Sequence, residues 1–467
     1  MRKITLLLLL FSQFFFGQSL ILDNAFDMGE GFTLYNEGSV AVQRPVLQPD
    51  GKIIVPGQYL NYNGISAINL VRLNPNGTRD ADFNIGSSTN AGIWDCTLQP
   101  DGKIIIVGGF TLFNGVQRPR IARLNSNGTL DTGFNIITGP DDWIEKVLLQ
   151  PDGKIIIVGS FTTFGSYSRN RIARLHTNGA LDLNFMIGSG ADGRIRDIAM
   201  QSDGKLIVAG DFNNFDGNAS KKIARLNIDG SFDISFNVGV GPLGNIWAIA
   251  LQTDQKVIIG GEFLTVNGNE SRRLARLNPD GTYDNTFSVG TGLNSTAMSL
   301  FILPDGKIIV GGAFSMYQNV PRSRLARINA NGILDANFTI GSGFDNWVTH
   351  IVSQPDGKLL MSGLYTSFNG AESMRLSRLV DNTLGMTELD HNKSFYVYPN
   401  PVSSILNLEL RDATNIDVVE IYDLSGKSVL KQEVIFNQLN VDSLAKGVYL
   451  LVGQAGEVKF QTRFIKK

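Results

Sequence analysis

From residue 22 to residue 381 the chain repeats one rhythm of apolar and polar positions. The second copy shows it clearly. A short apolar run over 93–99 predicts a strand, A, and Pro100-Asp101-Gly102 follows as a turn. The Ile/Val-rich run over 103–110 ends in glycines and predicts strand B. A polar loop runs through Asn114-Gly115 to Arg118, and alternation over 120–125 predicts strand C. Ser126-Asn127-Gly128 is a hairpin turn, and 129–135 predicts strand D. Strands A and B are apolar on both faces, as expected where neighbouring sheets cover both sides.

Three markers recur every 51 residues. Asp-Gly-Lys stands at Asp50, Asp101, Asp152, Asp203, Asp305 and Asp356, with Asp254-Gln255-Lys256 filling the gap. Arg72, Arg123, Arg174, Arg225, Arg276, Arg327 and Arg378 each precede Leu or Ile. Asp-x-x-Phe recurs from Asp80/Phe83 to Asp335/Phe338. Four-stranded units of this length repeated in a ring predict an all-β, seven-bladed β-propeller. The seventh unit loses the pattern after Arg378. Leu22-Asp23-Asn24-Ala25-Phe26 matches Leu334-Asp335-Ala336-Asn337-Phe338, so an N-terminal strand is expected to complete the last blade and close the ring.

The flanks differ in kind. Arg2 and Lys3 precede an apolar run to Phe16 and small residues near Gly17, which predicts a signal peptide over 1–19. The propeller is expected over 20–382 and a polar linker over 383–394. Short alternating strands over 395–467 predict a small β-sandwich. No later stretch reaches membrane length, so no membrane span is expected in the mature protein.

Composition removes several classes. Lys+Arg is 41 against 43 Asp+Glu, which leaves no basic excess for nucleic acid. One cysteine, Cys96, makes no disulfide framework, and three histidines offer little for a metal site. The 51 glycines, about 11% against a usual 7% or so, suit many tight turns.

The run "LQPDGKIIVGG…F…NG…IARLN.NGTLD..FN" resembles the delta-60 repeat β-propeller family across roughly 22–381. That resemblance implies the fold and no particular chemistry. "YPNPVSSILNLEL…VEIYDLSGKSVL…LAKGVYLLV…FIKK" resembles the C-terminal sorting domain of the type IX secretion system of Bacteroidota. It implies that the type IX secretion machinery is a partner through residues 395–467. It further implies passage through the outer membrane, cleavage of this domain and attachment to surface lipopolysaccharide.

The seven arginines of strand C read as structural, each pairing with the Asp residues of its own unit in a bidentate contact. Asp-Gly-Lys reads as turn chemistry. Function is expected where copies differ, on the rim from which strand A starts beside the central channel. Positions nine and seven before each anchor Asp hold Ala41/Gln43, Gly92/Trp94, Trp143/Glu145, Arg194/Arg196, Asn245/Trp247, Thr296/Met298 and Trp347/Thr349. The candidate ligand-binding collar is therefore Trp94, Trp143, Glu145, Arg194, Arg196, Trp247 and Trp347. The competing reading wedges these tryptophans between blades as packing. No cofactor, metal site or catalytic set is expected. Asp141, Asp142, Glu145, Asp192 and Asp345 are the acids near the collar from which a glycosidase pair would come. The leading expectation is a secreted or cell-surface binding module for an extracellular glycan or protein. The alternatives are a secreted carbohydrate-active hydrolase or lyase, and a structural surface protein.

Overall fold

A computed structural model describes residues 18–33, 41–381, 395–410, 418–423, 427–434, 437–455 and 458–467, in two units divided after Asp381. Residues 1–17 of the expected signal peptide and the expected linker over 383–394 lie outside the described residues.

Among the described residues, the first unit is seven successive A–B–C sheets with strand B in the centre of each. In the second sheet, A is Ile93–Leu98, B is Ile104–Gly108 and C is Ile121–Leu124. In the seventh, A is Val348–Ser353, B is Leu359–Gly363 and C is Leu376–Asp381. All three strands pair antiparallel. Strand B is buried along its whole length because it carries branched apolar residues on both faces, and each face meets a neighbouring sheet.

Seven apolar seams join these sheets among the described residues, one per neighbouring pair. Ile105, Val107 and Ile121 of the second sheet meet Ile155, Ile157 and Ala173 of the third. The cycle closes where Val55, Tyr59 and Val71 of the first sheet meet Leu360 and Leu376 of the last. The N-terminal strand Gln18–Leu22 completes the seventh sheet, with Leu20, Ile21 and Leu22 opposite Asp381, Val380 and Leu379. This strand begins two residues inside the segment expected to be the signal peptide.

Two local expectations are corrected. The fourth strand over 129–135 shrinks to a single bridge, Leu124 to Leu130. Beyond it the chain curls, and the Gly133 amide donates to Asp131 Oδ1 at 2.9 Å. An extended strand would not place Asp131 on Arg123 and Phe134 under the same guanidinium. The polar B–C loop, in turn, contains a small ribbon, Leu112–Phe113 against Val116–Gln117. Asn114 and Gly115 both take positive φ there, as a two-residue hairpin requires, and Phe113 is buried.

The repeated arginines are structural, though not as a bidentate pair with two aspartates. Arg174 Nε donates to Asp182 Oδ2 at 2.8 Å, and Lys154 of the Asp-Gly-Lys turn lies 3.4 Å from the same oxygen. Arg174 Nη1 donates onward to the Ile228 carbonyl of the next unit at 2.7 Å. Its guanidinium carbon stands 4.5 Å from the centroid of the Phe185 ring. One side chain thus ties its own turn, its own phenylalanine and the following blade. The same set closes the ring. Arg378 Nε donates to Asp23 Oδ2 at 2.8 Å, Lys358 pairs with that oxygen at 2.9 Å, and Phe26 lies under the guanidinium. The turn aspartates cap their own loops, as expected: the Lys103 amide donates to Asp101 Oδ1 at 3.1 Å, and Gly102 has φ 81°.

These carboxylates make the fold acid-sensitive. Burial pushes Asp131 up, but Lys103, the Gly133 amide and Arg123 outweigh it and hold its pKa at about 2. Asp23, Asp80, Asp182 and Asp335 are lowered in the same sense. A folded pKa below the unfolded value of about 3.9 contributes stability above that pH, which is lost as pH falls through the folded value. The melting temperature is therefore expected to hold from about pH 7 to about pH 5 and to fall steeply below about pH 4. Thermal melts across that range check it, and a melting temperature unchanged at about pH 2.5 would contradict it.

The second unit is a β-sandwich. Phe395–Tyr398, Ile405–Leu410 and Gln438–Asn440 form one sheet. Ser428–Glu433, Val418–Tyr422, Gly447–Ala455 and Val458–Lys466 form the other. Alternate residues such as Leu406, Leu408, Val419, Ile421 and Leu451 fill the core between them.

Candidate binding site in the central channel

Strand A is the innermost strand of each sheet, and its first residues form the channel mouth. They are held there by glycine. The last glycine of strand B lies so close to strand A that a Cβ on Gly159 would stand 2.2 Å from the Trp143 carbonyl oxygen, and on Gly363 2.1 Å from that of Trp347. The same carbonyls accept the Ser160 and Leu364 amides at 2.9 Å. The next feature is a bulge. Ile144 pairs with Gly159 and Lys146 with Val158, which leaves Glu145 without an opposite residue. The same slip occurs at Arg196, Trp247, Met298 and Thr349. A bulge breaks the two-residue alternation, so two successive side chains face the channel.

The result is a cavity of about 680 Å³ lined by residues of all seven sheets. It brings together Trp94, Glu145, Arg194, Arg196, Trp247 and Trp347. Trp143 is not on the wall. It packs against Trp94 with ring centroids 4.9 Å apart and planes tilted by 49°, and is 43% exposed. Trp347 is 40% exposed, and Trp94 and Trp247 are half-buried. The collar arginines are held in place. Arg196 Nε and Nη2 donate to Asp211 Oδ1 and Oδ2 at 2.6 and 2.9 Å, and its guanidinium carbon lies 4.0 Å from the centroid of the Trp247 ring. Trp247 Nε1 donates to Glu262 Oε1 at 3.0 Å. Arg194 Nη2 is 2.6 Å from Glu145 Oε1, and burial still pushes the Glu145 carboxyl above its ordinary value. Ion pairs and a hydrogen bond hold Arg194, Arg196 and Trp247 in place.

Three of the acids noted in the sequence have other work. Asp141 accepts the Thr162 and Thr163 amides at 2.8 and 2.9 Å. Asp192 accepts those of Asn213 and Asn214, and Asp345 those of Thr366 and Ser367. Asn90 and Asn294 do the same in their units. This position pins the B–C ribbon, and an amide oxygen serves as well as a carboxylate. Asp142 caps the Trp143 amide at 2.8 Å. Of the five acids, Glu145 alone lines the cavity.

Sequence reasoning missed the layer just below the collar. Arg44, Asp95, Lys146, Asp197, Ala248, Ser299 and His350 stand six residues before each anchor Asp and all line the channel. Strict alternation assigns them to the opposite face, and the bulge turns them inward. The signal available was a run of polar residues at one fixed position of an otherwise apolar strand. Asp95 Oδ2 accepts the Val147 amide at 3.0 Å and Asp197 Oδ2 the Ile249 amide at 2.8 Å, linking strand A to the next blade's strand A. Burial, with Lys146 and Arg44 nearby, lowers the His350 pKa to about 3, so its imidazole is neutral.

Residues 48–83, 99–134, 150–185, 201–236, 252–287 and 303–338 match the family described as "Domain of unknown function (DUF5122) beta-propeller". Residues 396–467 match the "Secretion system C-terminal sorting domain". The chain therefore carries β-propeller repeats of that family and a type IX sorting domain, which implies secretion to the cell surface. No curated protein matches it. Among solved structures, the extracellular domain of a putative hybrid two component system of B. thetaiotaomicron aligns at 13% identity with a TM-score of 0.48. That alignment covers 97% of this chain and 60% of the other. PorZ, a surface component of the type IX secretion system of Porphyromonas gingivalis, aligns at 14% identity and a TM-score of 0.40, covering 96% and 61%. The chain thus spans about 60% of the length of these structures. No helix of the described residues is long and apolar enough to cross a membrane.

Proposed function

We propose that this surface-sorted chain of DUF5122 β-propeller repeats is a glycan-binding protein that takes a sugar chain end into its channel mouth. The observation that carries this reading is the exposed Trp347 with the half-buried Trp94 and Trp247 on one cavity wall, and the exposed Trp143 packed against Trp94 beside it. Flat aromatic faces suit sugar rings, and fixed guanidinium and carboxylate groups between them suit hydroxyls. Replacing both Trp143 and Trp347 by Ala is expected to weaken oligosaccharide binding on a glycan array at least about tenfold, since anchor aromatics typically contribute ~2 kcal/mol each. The melting temperature should fall less than for a fully buried aromatic, because Trp143 and Trp347 keep 43% and 40% of their surface in solvent. Unchanged binding with a lower melting temperature would instead assign these rings to packing.

One feature favours a second reading, a secreted carbohydrate-active enzyme. Burial raises both Glu145 and Asp95 on the channel wall, the direction a general acid needs. Turnover of a bound oligosaccharide, abolished by Glu145→Gln with binding retained, would establish it.

A further inference from the structure

Four cationic side chains line the channel, and three are already neutralised. Arg194 pairs with Glu145, Arg196 with Asp211 and Lys146 with Asp197. Arg44 is the exception: among the described residues no carboxylate lies within ion-pair distance of its guanidinium, and its side chain is exposed to the channel. It sits in the layer below the tryptophan collar. Farther along strand A the wall turns apolar, with Leu148, Ala199, Met200 and Phe301. A guest entering past the tryptophans therefore meets Arg44, the one lining cation without an ion-pair partner among the described residues, before the apolar stretch of wall.

Two titratable residues of the same channel layer come from the sheets on either side of Arg44. On one side stands His350, whose imidazole is held neutral by burial and by the cations Lys146 and Arg44. On the other stands Asp95, 3% exposed, with Oδ2 on the Val147 amide and Oδ1 lacking a hydrogen-bond partner. Burial raises the Asp95 carboxyl, with Arg44, Lys146 and two amides opposing. One guanidinium without an ion-pair partner among the described residues has capacity for a single negative charge. Guanidinium also matches a carboxylate in bidentate geometry.

We propose that Arg44 docks a carboxylate carried by the sugar chain, so that the channel selects uronate-bearing glycans over neutral ones. This rests on the reading of the channel as a glycan site and adds the chemical class of the glycan. The test uses the full chain on an array of galacturonate, glucuronate and mannuronate oligosaccharides printed beside their methyl esters. Esterification removes the charge and leaves the ring, so wild type is expected to prefer the free acids at least about tenfold, the scale of one charge-assisted contact. Arg44→Gln should erase that preference by weakening acid binding, with ester binding changing by a smaller factor. Arg44→Lys should retain part of it, and the preference should shrink with added salt. Equal binding of acid and ester by wild type, with collar variants still abolishing both, overturns the role of Arg44 and leaves glycan binding standing. Binding to no glycan overturns both readings. Acid preference undiminished in Arg44→Gln overturns the assignment to this residue.

Discussion

A chain lacking residues 20–28 is expected to lose the cooperative melting of its propeller. The segment does three things at once. Leu20, 3% exposed, fills the seam between the sixth and seventh sheets, and Phe26 fills the seam between the seventh and the first. Leu20, Ile21 and Leu22 cover the edge of the strand Leu376–Asp381. Asp23 neutralises Arg378, which is buried. Two large apolar side chains are worth roughly 1.5–3 kcal/mol each, and orphaning a buried ion-pair partner costs about 3–5 kcal/mol. The sum is on the order of the whole stability of an ordinary domain. The location matters as much as the amount. Every other seam is bridged by continuous chain, whereas this one joins the two ends of the propeller sequence, so its closure entropy is met by noncovalent contacts alone. Calorimetry of the deletion variant checks this. A melting temperature equal to wild type would mean that the ring does not depend on this strand.

Arg174→Gln is expected to cost about 2–4 kcal/mol, below the full range for a broken buried pair because Lys154 still faces Asp182. Asp182 is 1% exposed, so its charge depends on partners and not on water. The variant also frees the Ile228 carbonyl of the next unit and uncovers the Phe185 ring. The melting temperature should fall on the order of 5–10 °C. Replacing Arg174 and Asp182 together by apolar residues should cost less than the single change, since no charge is then stranded. A single variant within about 1 °C of wild type would show the latch to be incidental.

Much of this was written in the repeat. The 51-residue spacing, the Val-Gly-Gly ends of strand B and the match of Leu22–Phe26 to Leu334–Phe338 placed the strands and the closing segment. The Arg-to-Asp pairing was legible as chemistry, but its geometry was not. Only folding shows that Arg174 uses Nε for Asp182 and reaches across to Ile228. For the same reason strand D was overread. Asp-x-x-Phe looks like alternation, yet placing both residues on one guanidinium requires a turn. Asp141, Asp192 and Asp345 looked available because sequence does not reveal which backbone amides a carboxylate will meet.

The sequence by itself determined a closed, exported β-propeller with a sorting domain, because strand, turn and seam depend on local apolar pattern and on residues repeated at fixed spacing. It also pointed to the collar, because copies that must pack alike are free to differ only where they do not pack. Tertiary structure alone decided which side chains share the channel. A one-residue bulge in strand A turns Asp95, Lys146, Asp197 and His350 inward beside Arg44, and ion pairs, two of them between neighbouring blades, leave Arg44 as the one lining cation without such a partner among the described residues. Those pairings join residues about 50 positions apart along the chain or sit on a slip in strand register, and no local pattern encodes either.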